Sequence, residues 1–192
     1  MSWENFEAAM WPARLCASRR RALALAAGLV LSRCLAAAPA CLYGRGLQFV
    51  DDVGRRRSLD EWRGRSVIIT MAYGACRRVC STSLRTLERL AASARAAAVP
   101  LQFVVVGLDP ANDTPRDWAQ YRRDHGLNGT EWTFLCGSAG ATRALAEFLG
   151  VRYWSMDDHI LHDFKIVRLT PDGQLGASAS WADDAIDRLL IP

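Results

Sequence analysis

The sequence predicts an α/β fold, a central mixed sheet flanked by helices, and three observations carry the prediction. Two apolar, β-branched runs, residues 67–71 and 101–108, are too short for helices and too uniformly apolar for one-sided strands, so they read as strands buried on both faces. Each is followed by a helical signal. Leu84, Leu87, Leu90 and Ala91 recur at helical spacing after the first run, and Thr114-Pro115 supplies an N-cap and a first-turn proline after the second. The chain then closes with a strand, a Pro171-Asp172-Gly173 turn and a return strand.

Taken in order, residues 48–59 alternate around an Asp/Gly turn and suggest a hairpin, followed by a turn through residues 60–64. The buried strand at 67–71 leads into a helix over 81–97. The second buried strand leads through Asp109 to the Thr114 cap, and Trp118 and Tyr121 continue a helix toward His125-Gly126. Residues 132–136 form a short strand, and a helix over 141–149 is stopped by Gly150. Residues 156–161 read as a polar loop. A strand is expected to start at His162 and run to Leu169, with a return strand over 174–177 and a final helix over 181–190. This order describes a thioredoxin-like fold.

With 192 residues the chain suits one domain and a short extension. Residues 1–41 have the form of a signal or membrane-targeting segment: Arg19-Arg20-Arg21, an apolar run over 22–31, then small residues at 36–40. Arg33 interrupts the apolar run well short of the ~20 residues of a spanning helix. Export to the periplasm is expected, with anchoring at the inner membrane if the leader is retained. Cys41 follows Ala40 as the lipidated cysteine of a bacterial lipoprotein would, but without the usual preceding leucine. Five arginines against Glu4 and Glu7 give this leader +3 of the formal +4, so residues 42–192 are nearly neutral. They carry no clustered basic and aromatic footprint, which argues against a nucleic-acid partner. Arg55-Arg56-Arg57 reads as a solvated turn.

Chemistry concentrates at residues 72–81, where Cys76 and Cys80 sit between the first buried strand and its helix. If Cys76 opens the helix, Cys80 lies one turn on, on the same face. The helix N-terminus, Arg77 and Arg78 all favour thiolate. Such a pair suits binding of a soft metal or cycling to a disulfide, and in the second case Cys76 and Cys80 are a redox-active pair. Cys136 ends an apolar run and reads as a small buried hydrophobe.

The combination of Cys76-Arg77-Arg78-Val79-Cys80 after a strand, residues 109–115 (DPANDTP) after the next strand, and His162 nine residues before Pro171-Asp172-Gly173 resembles the SCO/SenC family over roughly residues 45–190. The resemblance implies a thioredoxin fold that binds one copper ion, Cu(I) or Cu(II), through Cys76, Cys80 and His162. It implies a metallochaperone for the copper centre of cytochrome c oxidase, whose partner is the oxidase's copper-bearing subunit or another copper chaperone. Ser81 stands where many members have proline. Two thiolates and an imidazole suit Cu(I), whereas structural zinc would want a fourth ligand.

The three histidines are His125, His159 and His162. His125 sits at a helix end, where a cation is favourable without any ligand role. His159 is read as solvated, with a role as second or substitute ligand the lesser alternative. Asp163 is a candidate to orient the His162 ring. Asp113, Thr114 and Pro115 read as a helix cap, although parallel strands would bring Asp109 and Asp113 to the edge that carries the cysteines. Tyr73, Tyr153 and Trp154 are candidate walls of the site, with core packing the default. The alternative function is a thiol-disulfide oxidoreductase that reduces a partner's cysteines. His162 discriminates the two, because dithiol exchange needs no third ligand.

Overall fold

The computed structural model describes residues 41–74, 80–157, 159–180 and 186–191, the side chains of 80–83 excepted. Leader residues 1–40, Cys76 and the first half of the expected final helix lie outside these.

Strands β1 (Gln48–Asp51), β2 (Arg56–Ser58), β3 (Val67–Ala72), β4 (Gln102–Gly107), β5 (Trp132–Gly137), β8 (Lys165–Leu169) and β9 (Leu175–Ser180) form one sheet in the order β2-β1-β5-β4-β3-β8-β9. The central three, β5, β4 and β3, are parallel, and β1 and β8 flank them antiparallel. All six residues of β3 are buried, as are five of six in β4, because helices cover both faces of a parallel sheet. Helices α1 (Cys80–Ala96), α2 (Pro115–Asp124) and α3 (Ala139–Leu149) follow β3, β4 and β5 in turn. The expected mixed sheet flanked by helices is what forms.

The apolar stripe of α1 packs as its spacing predicts, with Leu84, Leu87, Leu90 and Ala91 buried in the core. Thr114 caps α2, its hydroxyl accepting the Asp117 amide, with Pro115 as the first helical residue. Gly150 ends α3 in the left-handed conformation, φ 66°. In the first hairpin Arg57 is paired with Asp51 at 3.1 Å and Glu61 at 2.7 Å, so this one arginine of the triple is held by its neighbours. At the closing turn Gly173 has φ +81°, and a Cβ there would meet the Tyr43 ring at 2.4 Å. Both the turn and the packing of Tyr43 therefore require glycine.

Residues 153–162 depart from expectation. Instead of a loop, β6 (Tyr153–Met156) and β7 (His159–His162) form an antiparallel hairpin of their own, outside the main sheet. The short turn between them is entered by Asp157 in the left-handed conformation, φ 54°, which aspartate tolerates. His162 thus ends β7; the main-sheet strand begins three residues later, at Lys165. At the C-terminus, Ile186–Leu189 is a 3-10 turn where a helix is expected. Arg168 fastens it, donating to the carbonyls of Leu189 at 3.1 Å and Ile191 at 2.5 Å.

Candidate metal centre

The sheet brings three loops to one edge. Because β3 and β4 run parallel, Ala72 pairs with Gly107, so the chain leaves both strands side by side. The first exit leads through Tyr73 and Gly74 toward Cys76 and Cys80, and the second through Asp109 to Asp113. Since β8 runs antiparallel to β3, with Thr70 opposite Ile166, its beginning lies at the same edge, and His162 lies just before it. This is the carboxyl end of the parallel strands, where open α/β sheets place their sites.

His162 is held in one orientation. Its Nδ1 lies 2.9 Å from the Asp163 carbonyl oxygen, and its ring meets Tyr73 edge to face, centroids 6.0 Å apart. A carbonyl can only accept, so Nδ1 carries the proton and Nε2 of the neutral ring keeps a free lone pair. That Nε2 is buried and has no hydrogen-bond partner. Leaving a polar atom so placed costs about 1–3 kcal/mol, which a metal at Nε2 would offset. The donor therefore fits a metal ligand.

Asp163 acts on the ring by its backbone; its carboxylate points to Arg152, at 2.9 and 3.2 Å. That pairing holds the Asp163 carboxyl below the usual carboxylate range. His159 lies three positions before His162 on one strand, so the two face opposite sides of the hairpin and His159 is no substitute ligand at this point. His125 ends α2, its ring 4.4 Å from that of Tyr121, at the end of the helix that leads toward the start of β5. Tyr73 is buried beside His162, and Tyr153 is its cross-strand partner. Trp154 is exposed on the other face of the hairpin, neither core nor wall.

Asp113 does more than precede a cap. Its buried carboxylate accepts the Gly74 amide at 2.7 Å through Oδ1 and the Asp109 amide at 2.9 Å through Oδ2. It therefore ties the loop that leads to Cys76 to the loop after β4. Gly107 makes room for it, since a Cβ there would lie 2.8 Å from Asp113 Oδ2. Burial pushes the Asp113 carboxyl up to about 6, against the pull of those two amides. The parallel strands bring Asp113 to the edge expected from the sequence; its bond to Gly74, 39 residues away, is what the sequence did not reveal.

Cys80 is the first described residue of α1. Among the described residues no group of three or more His, Cys, Asp or Glu gathers as a metal cluster. Cys136 is half-buried at the end of β5, and burial, with Asp113, Asp117 and Asp52 nearby, pushes its thiol up to about 12. It therefore stays protonated at neutral pH.

The SCO1/SenC family model matches residues 37–188. The chain belongs to the SCO1/SenC family. It is 28% identical over 137 residues to a proposed copper-binding protein of Stutzerimonas stutzeri, covering 67% of this chain and 65% of that one. Arabidopsis thaliana ScoI with copper bound has the same fold, with a TM-score of 0.66 at 19% identity over 75% of this chain and 90% of that one. BsSco, a member of the Sco family of cytochrome c oxidase assembly proteins in which a disulfide switch was identified, superposes with a TM-score of 0.68 at 18% identity. It covers 79% of this chain and 91% of its own. These SCO relatives share the mixed sheet and flanking helices described above.

Proposed function

We propose that this SCO1/SenC protein is a copper metallochaperone that holds one copper ion through Cys76, Cys80 and His162. The observation that carries the reading is the buried, unpartnered Nε2 of His162 at the sheet edge where the chain turns toward the two cysteines. Nδ1–H on the Asp163 carbonyl fixes the tautomer that leaves Nε2 as the donor. Two thiolates with a neutral imidazole form a soft set for copper, and the copper-binding description of the Stutzerimonas stutzeri relative and the copper-bound Arabidopsis ScoI support the metal.

The cargo is delivered to the copper centre of cytochrome c oxidase, directly to its copper-bearing subunit or through another copper chaperone. The assembly role attributed to BsSco supports this. The leader over residues 1–41 exports the domain to the periplasm, where it stays at the inner membrane if uncleaved. The alternative, a thiol-disulfide oxidoreductase, uses the same cysteines but leaves His162 without a task. Copper loading of the reduced chain followed by metal analysis tests the proposal: one tightly held copper per chain is expected, lost in Cys76→Ser and in Cys80→Ser. Full retention in either variant would overturn it.

A further inference from the structure

The β6–β7 hairpin has two faces, and only one is used by the centre above. Its register pairs Tyr153 with His162, Trp154 with Leu161, Ser155 with Ile160 and Met156 with His159. Residues paired across antiparallel strands share a face, and alternate residues change it. Tyr153, Ile160 and His162 are the half-buried set. Trp154, Met156, His159 and Leu161 make the outer face, and all four are exposed, Trp154 at 52% and Met156 at 50%.

We propose that Met156 and His159 form a second copper site, a Cu(I) site at the tip of this outer face. The inference rests on the copper reading of the chain but not on the residues of the first site. Direct cross-strand partners have Cβ atoms about 5 Å apart, close enough for a thioether sulfur and an imidazole nitrogen to meet one ion. Thioether is a soft neutral ligand that selects Cu(I) over zinc, calcium or magnesium, and imidazole accepts copper as well. His159 makes no hydrogen bond or ion pair among the described residues, so its ring nitrogens are not engaged by the fold. Met156 is likewise turned to water at a hairpin tip, where packing gives no reason for a thioether. Trp154, two residues from Met156 on the same face, offers an aromatic ring to a bound cation.

A pair of neutral ligands binds more weakly and exchanges faster than two thiolates with an imidazole. Cu(I) at the tip lies three residues, or roughly 10 Å, along β7 from His162. Copper passing between the two sites exchanges ligands without any change of oxidation state. One strand thus carries a ligand for the tight centre on its inner face and one for an accessible way station on its outer face.

The test is methionine-methyl NMR of the full chain carrying Cys76→Ser and Cys80→Ser, titrated with Cu(I) without oxygen. The ε-methyl of Met156, assigned by its disappearance in Met156→Leu, is expected to shift, and His159→Asn is expected to abolish that shift. In the reduced wild-type chain the same methyl should stay still through the first equivalent of copper and move with the second. A Met156 methyl that moves in neither chain, or that moves equally in His159→Asn, would overturn the site. Failure of the thiolate centre alone would read differently, as a wild-type methyl that moves with the first equivalent while still depending on His159.

Discussion

The Gly74 amide donates to the Asp113 carboxylate at 2.7 Å, joining the loop after β3 to the loop after β4 across 39 residues of sequence. This bond, with the one from the Asp109 amide, fixes where the chain stands as it enters the segment containing Cys76. An aspartate with no ligand role thus holds the described end of the loop that leads toward Cys76.

Asp113→Ala is expected to destabilise the domain by about 1–2 kcal/mol, since the part-buried bonds from the Gly74 and Asp109 amides lose their acceptor. The same variant should bind copper more weakly. Urea denaturation and a competition titration check the two effects; a variant as stable as wild type would show that the loops are held by other contacts.

The pH dependence follows from the same carboxyl. Burial holds it at about 6 in the folded chain, above its ordinary value of 3.8. Between those values the folded state binds more protons than the unfolded state, so stability falls as pH rises from about 4 to about 6 and is level above. Asp113→Asn removes this slope. The stability of wild type relative to Asp113→Asn should therefore decline between about pH 4 and about pH 6 and level off above, measured by denaturant midpoints, and a constant difference would contradict the assignment.

Much of this site was legible in the sequence because its parts are local. The β-branched run before Cys76, the helical spacing after Cys80 and the Thr114-Pro115 cap each declare themselves within a few residues, and each forms as read. The place of Asp113 at this edge was legible, but its bond to Gly74 was not, because that partner lies in another loop and the neighbours of Asp113 form a sufficient cap without it. The hairpin around His162 was missed because Asp157-Asp158 dominated the reading of residues 156–161 as polar. Alternation in residues 153–156 and 159–162, flanking two turn-forming aspartates, was the available signal. Asp163 orients His162 as expected, and the structure adds which group does it: the carbonyl faces the ring and the carboxylate faces Arg152.

That last distinction is testable. Asp163→Ala keeps the carbonyl and loses the exposed ion pair with Arg152 and the bond from the Arg152 backbone amide, neither of which touches the ring, so copper affinity should be nearly unchanged. A loss as large as that of His162→Ala, in the same competition titration, would mean that the carboxylate orients the ring.

Cys136 should stand apart from the functional thiols. With its thiol pushed up to about 12, it is expected to alkylate at least ~10-fold more slowly than an ordinary cysteine at neutral pH. Cys136→Ser should load copper as wild type does. Mass spectrometry after timed alkylation reads the first, and metal analysis the second.

The most direct test of the central claim is the copper affinity of the reduced His162→Ala chain, measured by competition with a Cu(I) chelator beside wild type. Losing a ligand should weaken binding by at least ~10-fold, the lower bound for losing even an outer-shell partner, while Cys76 and Cys80 remain able to form a disulfide. Unchanged affinity would contradict the assignment of His162 as the third ligand and leave the dithiol reading in its place.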